Sequence, residues 1–301
     1  MRLGLDIGGT KIEAAALDAG GEIRFRKRRE TPADYDGMLV VVKELVDSAE
    51  RELGCRVSVG VGSPGAISPH LGVMQNAENI DGLDGKPLDR DLEKLLDRPV
   101  RLANDADCFA LSEATDGAAA GAAVVLGVVL GTGCGGGLVV DGKLLGGANA
   151  SAGEWGHNCL PWPSTSEIPA PICPCGKPGC MELYLSGPGM SRDHEEVTRR
   201  QLTAPEIVAG VAKGEPSCVA TFDRYVDRLA RGMASMINFL DPNIIVVGGG
   251  LSHITSLYQL VPARWTRYVS GSRAGTKFVR NKHGDSSGVR GAARLWPDER
   301  A

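Results

Sequence analysis

Apolar positions in this chain come in short runs broken by glycine turns, and that pattern occurs twice. Leu3–Asp6 and Lys11–Leu17 read as strands around the turn Ile7-Gly8-Gly9-Thr10. Leu39, Val42, Leu45, Val46, Ala49 and Leu53 fall on one stripe at helical spacing, which predicts a helix over Tyr35–Leu53. Val57–Gly62 predicts a strand ending at Ser63-Pro64-Gly65. Val100–Ala103 predicts another, leading into Asn104, a good N-cap for a helix through about Ala119. The pattern then restarts. Val124–Leu130 is a predicted strand, Gly131–Gly136 a turn and Gly137–Val140 a strand. Val219, Phe222, Val226, Leu229, Met233, Ile237 and Leu240 place a long helix over Pro216–Leu240. Ile244–Val247 follows as a strand, then Gly248-Gly249-Gly250, then a helix from about Ser252 to Arg267.

Two weakly similar halves of this kind predict an α/β chain of two lobes, 1–120 and 121–301, with a cleft between them as the natural ligand site. The end of the chain, from 280 onward, is expected to pack back in part on the first lobe. The Pro- and Cys-rich stretch Pro161–Cys180 reads as an insertion in the second lobe, spanning about 154–182 with its flanks.

Composition narrows the function classes. The net charge is −4, from 33 basic and 37 acidic residues, which argues against nucleic acid or an anionic membrane as the main partner. The first apolar stretch is interrupted by Asp6 and Lys11, so it does not read as a signal peptide. The longest apolar runs, Ala122–Leu130 and Ile244–Val247, are too short to span a bilayer. A cytoplasmic setting is expected, in which the eight cysteines are reduced thiols or metal ligands.

The 41 glycines cluster where backbone would meet a ligand. Asp6-Ile7-Gly8-Gly9-Thr10-Lys11 puts backbone N–H groups, a hydroxyl, an ammonium and a carboxylate at one turn. Bare amides suit phosphate oxygens, Lys11 neutralises charge, and Asp6 can face magnesium directly or through water. Gly131-Thr132-Gly133 with Gly135–Gly137 offers a second such turn. Gly248–Gly250 offers a surface for a flat base or ribose. Any one of these could be a plain hairpin turn; three in order favour a nucleotide. GxxxxGK[ST] is absent, and no GxGxxG follows a strand and opens a helix, so neither a Walker loop nor a Rossmann site is expected.

Asn104-Asp105-Ala106-Asp107 sits at a helix start, where carboxylates can simply cap. The functional alternative is a base that takes a proton from a sugar hydroxyl during phosphoryl transfer. Glu154, Asn104 and Glu182 are suitable types for binding vicinal hydroxyls. Cys173-Pro174-Cys175-Gly176-Lys177-Pro178-Gly179-Cys180 supplies three thiols, and His157 a possible fourth ligand for tetrahedral zinc. Free thiols or a redox pair are the alternatives. Cys55, Cys108, Cys134 and Cys218 read as core or incidental, and His70, His194 and His253 as surface residues.

Together these segments resemble the ROK family (repressors, open reading frames and kinases) over the whole chain. The matching pieces are Asp6–Lys11, Asn104-Asp105-Ala106, Gly131–Gly137, Glu154-x-Gly-His157, Cys173-x-Cys175-Gly176-x-x-Gly179-Cys180-x-Glu182 and Val247–Gly250. The resemblance implies an actin-like (ribonuclease H-like) ATP-dependent sugar kinase that works as a homodimer. It implies Asp105 as catalytic base, and Gly65, Asn104, Asp105, Glu154, His157 and Glu182 around the sugar. ATP would be held by Gly4, Leu5, Asp6, Ile7, Gly8, Gly9, Thr10 and Lys11, by Gly131, Thr132, Gly133, Cys134, Gly135, Gly136, Gly137 and Leu138, and by Gly249. Asp6 would face Mg²⁺, while His157, Cys173, Cys175 and Cys180 hold a structural zinc.

Gly153–Asn158 with Leu160-Pro161-Trp162, and the ending His283–Ala293, look closest to the bacterial fructokinases, also called manno(fructo)kinases. This implies transfer to the 6-hydroxyl of fructose, with mannose second, giving fructose 6-phosphate and ADP. An indole at Trp155 near the sugar's C2 side would exclude an acetamido group. The alternatives are the family's N-acetylglucosamine kinases and glucokinases. The family's repressors carry a DNA-binding domain ahead of the first glycine turn, and with three residues before Gly4 that reading is not expected. One departure is Asp107, where these kinases usually have Asn.

Overall fold

The computed structural model describes residues 1–77, 80–271 and 274–297. In chain order its strands and helices begin with β1 (Arg2–Ile7), β2 (Lys11–Leu17), β3 (Ile23–Glu30), α1 (Tyr35–Leu53), β4 (Ser58–Ser63), β5 (Ala66–Ile67), β6 (Met74–Gln75), α2 (Leu88–Leu96), β7 (Val100–Asn104) and α3 (Asp105–Thr115). They continue with β8 (Val124–Leu130), β9 (Cys134–Val140), β10 (Lys143–Leu144), α4 (Glu182–Leu185), α5 (Gly187–Thr198), α6 (Ala204–Ala212), α7 (Pro216–Leu240), β11 (Ile244–Gly248), α8 (Leu257–Trp265), β12 (Lys277–Arg280) and α9 (Ser287–Arg294).

Two five-stranded sheets have the same plan. The first runs β3-β2-β1-β4-β7 and the second β10-β9-β8-β11-β12. In the first, β2 pairs antiparallel with β1 and β3, while β4 pairs parallel with β1 and β7. In the second, β10 pairs antiparallel with β9, and β11 parallel with β8 and β12. This duplicated order is the actin-like, ribonuclease H-like α/β fold. Among the described residues no helix is long and apolar enough to cross a membrane.

The chain divides into two compact units. Unit 1 comprises Met1–Gly121, Gly137–Ala152 and Lys282–Ala301; unit 2 comprises Ala122–Gly136 and Gly153–Asn281.

In unit 1 the strand period of two sorts β1 between two layers. Leu3, Leu5 and Ile7 join a buried cluster with Met38, Val42 and Leu45 of α1 and with Leu88, Leu92 and Leu96 of α2. Gly4 and Asp6 point to the other face, where α9 lies. A Cβ on Gly4 would sit 1.9 Å from the Val289 carbonyl, and one on Gly60 would sit 1.9 Å from the Ala292 carbonyl. The absent side chains therefore let α9 rest directly on β1 and β4. Strand β3 is nearly all charge, with Phe25 its buried apolar residue. It pairs with β2 because Arg26 and Arg28 both donate to the buried Glu13 carboxylate, each at 2.6 Å. Alternation of this kind carries almost no apolar signal, so the sequence reading passes over β3.

In unit 2 the long helix α7 is buried along much of its length, with Phe222, Tyr225, Val226, Leu229 and Met233 in the core. Helices α5, α6 and α8 pack on it. The predicted helix Ser252–Arg267 is shorter: a 3₁₀ turn spans Gly250–His253, and α8 begins at Leu257.

Candidate functional site

The unit 1 half of the candidate site starts at the β1–β2 turn. The Gly8 N–H closes on the Lys11 carbonyl at 3.0 Å. The Thr31 hydroxyl donates to the Gly8 carbonyl at 2.6 Å, and the Thr31 N–H to the Thr10 carbonyl at 3.1 Å. Gly9, Thr10 and Lys11 are left exposed at the tip, as a phosphate-binding turn requires. Asp6 lies at the base of the turn. Burial pushes its carboxyl up, the charges of Asp105 and Glu13 push it further, and Lys11 and Arg28 oppose, leaving it at about 6. Asp6 and Asp105 thus share one negative field. A divalent cation suits such a donor set, because hard carboxylate oxygens pay for their repulsion by sharing the ion.

Asp105 is the first residue of α3. Its neighbour Asn104 caps that helix, accepting the Ala106 N–H at 2.9 Å, and donates through Nδ2 to the Gly65 carbonyl at 3.2 Å. Gly65 has φ +71, and a Cβ there would lie 2.4 Å from the Gln75 carbonyl. Gly65, Asn104 and Asp105 are therefore brought together by one turn and one cap. The Asp105 carboxylate accepts the Ala106 N–H at 2.7 Å, at a helix end whose dipole favours negative charge. Asp107, together with Asn104, lines a cavity of about 760 Å³ that also holds Arg101, Lys143 and Arg294.

Sequence reasoning missed what fixes the far end of α3. The Glu113 carboxylate is fully buried and accepts from the Ala118 and Lys282 N–H groups on one oxygen and from the His283 N–H and Ser287 hydroxyl on the other. Asp116 receives His283, Arg290 and Arg294. These bonds join α3 to the His283–Ala293 segment, whose spacing in sequence gave no hint of the partner.

In unit 2 the β8–β9 turn closes through the Gly131 N–H to the Gly133 carbonyl at 3.0 Å. The Cys134 N–H donates to Glu182 at 2.9 Å, and the Gly187 N–H to the Gly131 carbonyl at 2.8 Å. The turn is thereby tied to the starts of α4 and α5. Glu182 spends one oxygen on this bond and keeps the other. Glu154 is exposed and His157 half-buried. Trp155 is 3% exposed and donates its indole N–H to the Gly135 carbonyl at 2.8 Å, over Gly136.

A cavity of about 680 Å³ opens beside this turn, lined by Gly131, Thr132, Gly187, Pro188, Val208 and Gly250 among others. Gly249 stands behind it: with φ +77 and a would-be Cβ 2.4 Å from the Leu130 carbonyl, it bends the chain so that Gly250 faces the cavity. Gly4, Leu5 and Ile7 lie buried inside β1, and Cys134 and Leu138 are buried in β9. Gly137 packs on the α3 backbone, where a Cβ would lie 2.7 Å from the Ala106 carbonyl. These residues build the two hairpins, and the turn residues between the strands form the exposed tips.

His157, Cys173, Cys175 and Cys180 converge so that all four ligand atoms lie within 4.8 Å of one another. The Cys175–Cys180 sulfurs are 3.5 Å apart and the Cys173 sulfur is 3.8 Å from His157 Nδ1. Tetrahedral zinc with bonds of about 2.0–2.3 Å needs edges of about 3.5–3.8 Å, so the donor set fits. Gly176 (φ +85) and Gly179 (φ +75) supply the left-handed bends that fold the loop back. Cys159, two residues after His157, carries a further thiol near this loop; it is exposed, stands outside the four-ligand set, and donates weakly to the Pro178 carbonyl at 3.5 Å. The insertion is anchored by a buried ion-pair network. Glu167 accepts from Arg228 at 2.7 Å and from Arg231 at 2.8 and 3.0 Å, and Arg228 also reaches Asp193 at 2.7 Å. Of the histidines placed at the surface by sequence, His70 and His253 are exposed. His194 is not: it is fully buried, with Nδ1 2.9 Å from the Thr221 hydroxyl, because α5 turns this face onto α7.

Residues 2–299 match the sequence model of the ROK family. An N-acetyl-D-glucosamine kinase of Escherichia coli O127:H6 is 41% identical over 300 residues, covering 98% of this chain and 99% of that one. Among solved structures, a ROK hexokinase from Thermus thermophilus superimposes with a TM-score of 0.86 at 32% identity, over 97% of this chain and 96% of its own. A ROK family glucokinase from Streptomyces griseus, solved with glucose and AMPPNP, gives 0.78 at 28% identity over 98% of each chain.

Proposed function

The chain belongs to the ROK family, and from that premise we propose that it is an ATP-dependent kinase acting on the 6-hydroxyl of N-acetyl-D-glucosamine. The observation that carries the kinase reading is the shared field of Asp6 and Asp105. One carboxylate stands at a phosphate-type turn, and the other heads a helix beside the sugar-binding types Asn104 and Gly65. The acceptor follows from the relative that is 41% identical over nearly the full length of both chains.

The fructose expectation rested on the segment around Trp155 and Trp162 and on the His283–Ala293 ending, and neither tryptophan supports it. Trp155 is buried with its indole N–H spent on the Gly135 carbonyl, so it has no free face to exclude an acetamido group. Trp162 stacks on Tyr268, with ring centroids 5.3 Å apart.

In this reading Asp105 takes the proton of the 6-hydroxyl as that oxygen bonds to the γ-phosphorus, and the bond from phosphorus to the ADP oxygen breaks. Asn104, through its tie to Gly65, fixes the backbone from which Asp105 projects. Glu154, His157 and the free oxygen of Glu182 hold ring hydroxyls. The exposed tips, Gly9–Lys11 and Thr132-Gly133, supply amides and an ammonium to phosphates, and Asp6 holds Mg²⁺. That ion supplies charge neutralisation on the transferred group. His157 and the three cysteines hold zinc as a structural clamp on the insertion. The protein works in the cytoplasm as a homodimer.

The test is ADP release with N-acetylglucosamine, glucose, mannose and fructose at one ATP and magnesium concentration. The highest kcat/KM is expected for N-acetylglucosamine. A preference for fructose would overturn the acceptor, and no transfer to any of the four would overturn the kinase reading.

A further inference from the structure

On the kinase reading the β8–β9 turn of unit 2 receives phosphate. It is built from the least rigid residues: with Gly131, Gly133, Gly135 and Gly136 in place, only Thr132 and Cys134 carry side chains. Glycine loses more conformational freedom on ordering than any other residue. A glycine turn that meets its ligand in one shape must therefore be held from outside, or binding loses affinity to the cost of ordering it.

These glycines do not serve left-handed backbone, since none of the four has a positive φ. Two of them are bare because a side chain from elsewhere fills the space. A Cβ on Gly133 would lie 2.6 Å from Glu182 Oε2, and one on Gly136 would lie 2.6 Å from the Trp155 ring. Each intruding side chain bonds the turn. Glu182 Oε2 accepts the Cys134 N–H at 2.9 Å, and the Trp155 indole N–H donates to the Gly135 carbonyl at 2.8 Å. The two bonds take neighbouring backbone groups, a donor at Cys134 and an acceptor at Gly135. They fix the path of the chain where it leaves the tip Thr132-Gly133.

The segments that carry the two side chains also hold each other. Cys159 and Cys180 form an antiparallel bridge, the Leu160 N–H donates to the Gly179 carbonyl at 2.8 Å, and the Met181 N–H donates to the Asn158 carbonyl at 2.9 Å. Trp155 stands in a 3₁₀ turn at one end of this pairing, and Glu182 opens α4 at the other.

We infer that Trp155 and Glu182 are positioning residues for the nucleotide: they hold the glycine turn in the shape that presents its tip amides to phosphate. The inference rests on the kinase reading and extends Glu182 beyond the sugar contact given to it there. One carboxylate oxygen serves the nucleotide turn and the other the acceptor.

The test is calorimetric binding of MgADP without sugar, and of N-acetylglucosamine without nucleotide, with melting temperatures alongside. The proteins are wild type, Glu182→Ala, Glu182→Gln and Trp155→Phe. Leaving sugar out separates the roles, because a residue that only bound sugar could not then move the MgADP affinity. Glu182→Ala is expected to weaken MgADP about tenfold, the order of one hydrogen bond to a charged group. Glu182→Gln should bring MgADP back to within about threefold of wild type, since an amide oxygen can accept the same N–H, while N-acetylglucosamine stays weakened. Trp155→Phe keeps a ring over Gly136 but loses the donor, and should weaken MgADP about fivefold while N-acetylglucosamine changes less. Unchanged MgADP affinity in either Glu182→Ala or Trp155→Phe overturns the inference. So does equal weakening by Ala and Gln at position 182, which would make the charge responsible and not the bond to Cys134. Equal losses of both ligands in Trp155→Phe, with a lowered melting temperature, would show general disorder and overturn it as well. Should Glu182→Ala fail to fold, Trp155→Phe decides alone. A wild-type protein that binds no MgADP and phosphorylates none of the four sugars removes the kinase reading and the inference with it.

Discussion

Replacing Glu167 by Gln removes one charge from the network that holds the cysteine-bearing insertion on α7, and the structure sets the size of the effect. The Glu167 side chain is 4% exposed, and those of Arg228 and Arg231 are 8% and 5% exposed. One oxygen accepts from Arg228 and Arg231, the other from Arg231 and the Ser164 N–H. Either orientation of a Gln amide therefore turns an NH₂ against buried donors. Burial by itself would raise the carboxyl, but bonds from Arg231 and Arg228, then from Ser164, outweigh it and hold it at about 2, against 4.5 unperturbed. That difference is worth about 3 kcal/mol. It agrees with the low end of the 3–5 kcal/mol lost when one partner leaves a buried pair. The low end is expected, because Arg228 keeps Asp193 and Arg231 keeps Asp227.

The folded-state pKa is depressed, so the stabilisation is fully present above about pH 4.5 and disappears as pH falls toward 2; more than half is gone by pH 3. Urea unfolding of wild type and Glu167→Gln, followed by tryptophan fluorescence, should differ by about 3 kcal/mol at pH 7 and by about 1 at pH 3. Acid release of any metal held by the cysteine cluster would be common to both proteins and cancels in the difference. A gap under about 1 kcal/mol at pH 7, or one unchanged at pH 3, would refute the assignment of a buried charged anchor.

Asp105→Asn should lower kcat by about 10²–10⁴-fold with little change in melting temperature, since the amide oxygen can still accept the Ala106 N–H; near wild-type turnover, with Asp107→Asn inactive, would move the base to Asp107. Purified protein should carry about one zinc per chain, and Cys180→Ser should lose it and melt earlier; metal analysis without zinc, with all eight cysteines reactive to a thiol reagent, would dismiss the site. In α9, Gly288→Ala places a Cβ 2.9 Å from an Asp6 oxygen while improving helix propensity. The expected result is unchanged or higher melting temperature with kcat/KM for MgATP down roughly tenfold or more, and unaltered kinetics would show that Asp6 does not work from this position.

How much of this could be read from the sequence depended on whether the signal was local. Tyr35–Leu53 and Pro216–Leu240 were predicted to the residue because their apolar stripes are continuous. The Asn104 cap was legible for the same reason. The four-ligand cluster was legible because three of its members sit in one short glycine-bent loop. β3 was missed because its partner is the buried Glu13 of another strand. α2 was missed although Leu88, Leu92 and Leu96 keep helical spacing, since the helix is short and otherwise charged. Glu113 was missed because three of its four donors lie more than 160 positions away, and Cys159 drew no reading at all.

The tryptophans show why an acceptor is harder to read than a fold. A residue type predicts burial or chemistry on average, but specificity depends on which side of a residue faces the ligand. Trp155 follows Glu154 directly, so a sugar contact at one made a contact at the other plausible. The 3₁₀ turn over Trp155–His157 separates them. It directs the indole onto Gly136, where a Cβ would lie 2.6 Å from the ring, and leaves Glu154 exposed. The same turn brings His157 within 3.8 Å of the Cys173 sulfur. Trp155 therefore acts as the pivot that fixes the turn between Glu154 and His157. Its bulk is used against the β9 backbone, where its indole lies over Gly136 and bonds the Gly135 carbonyl.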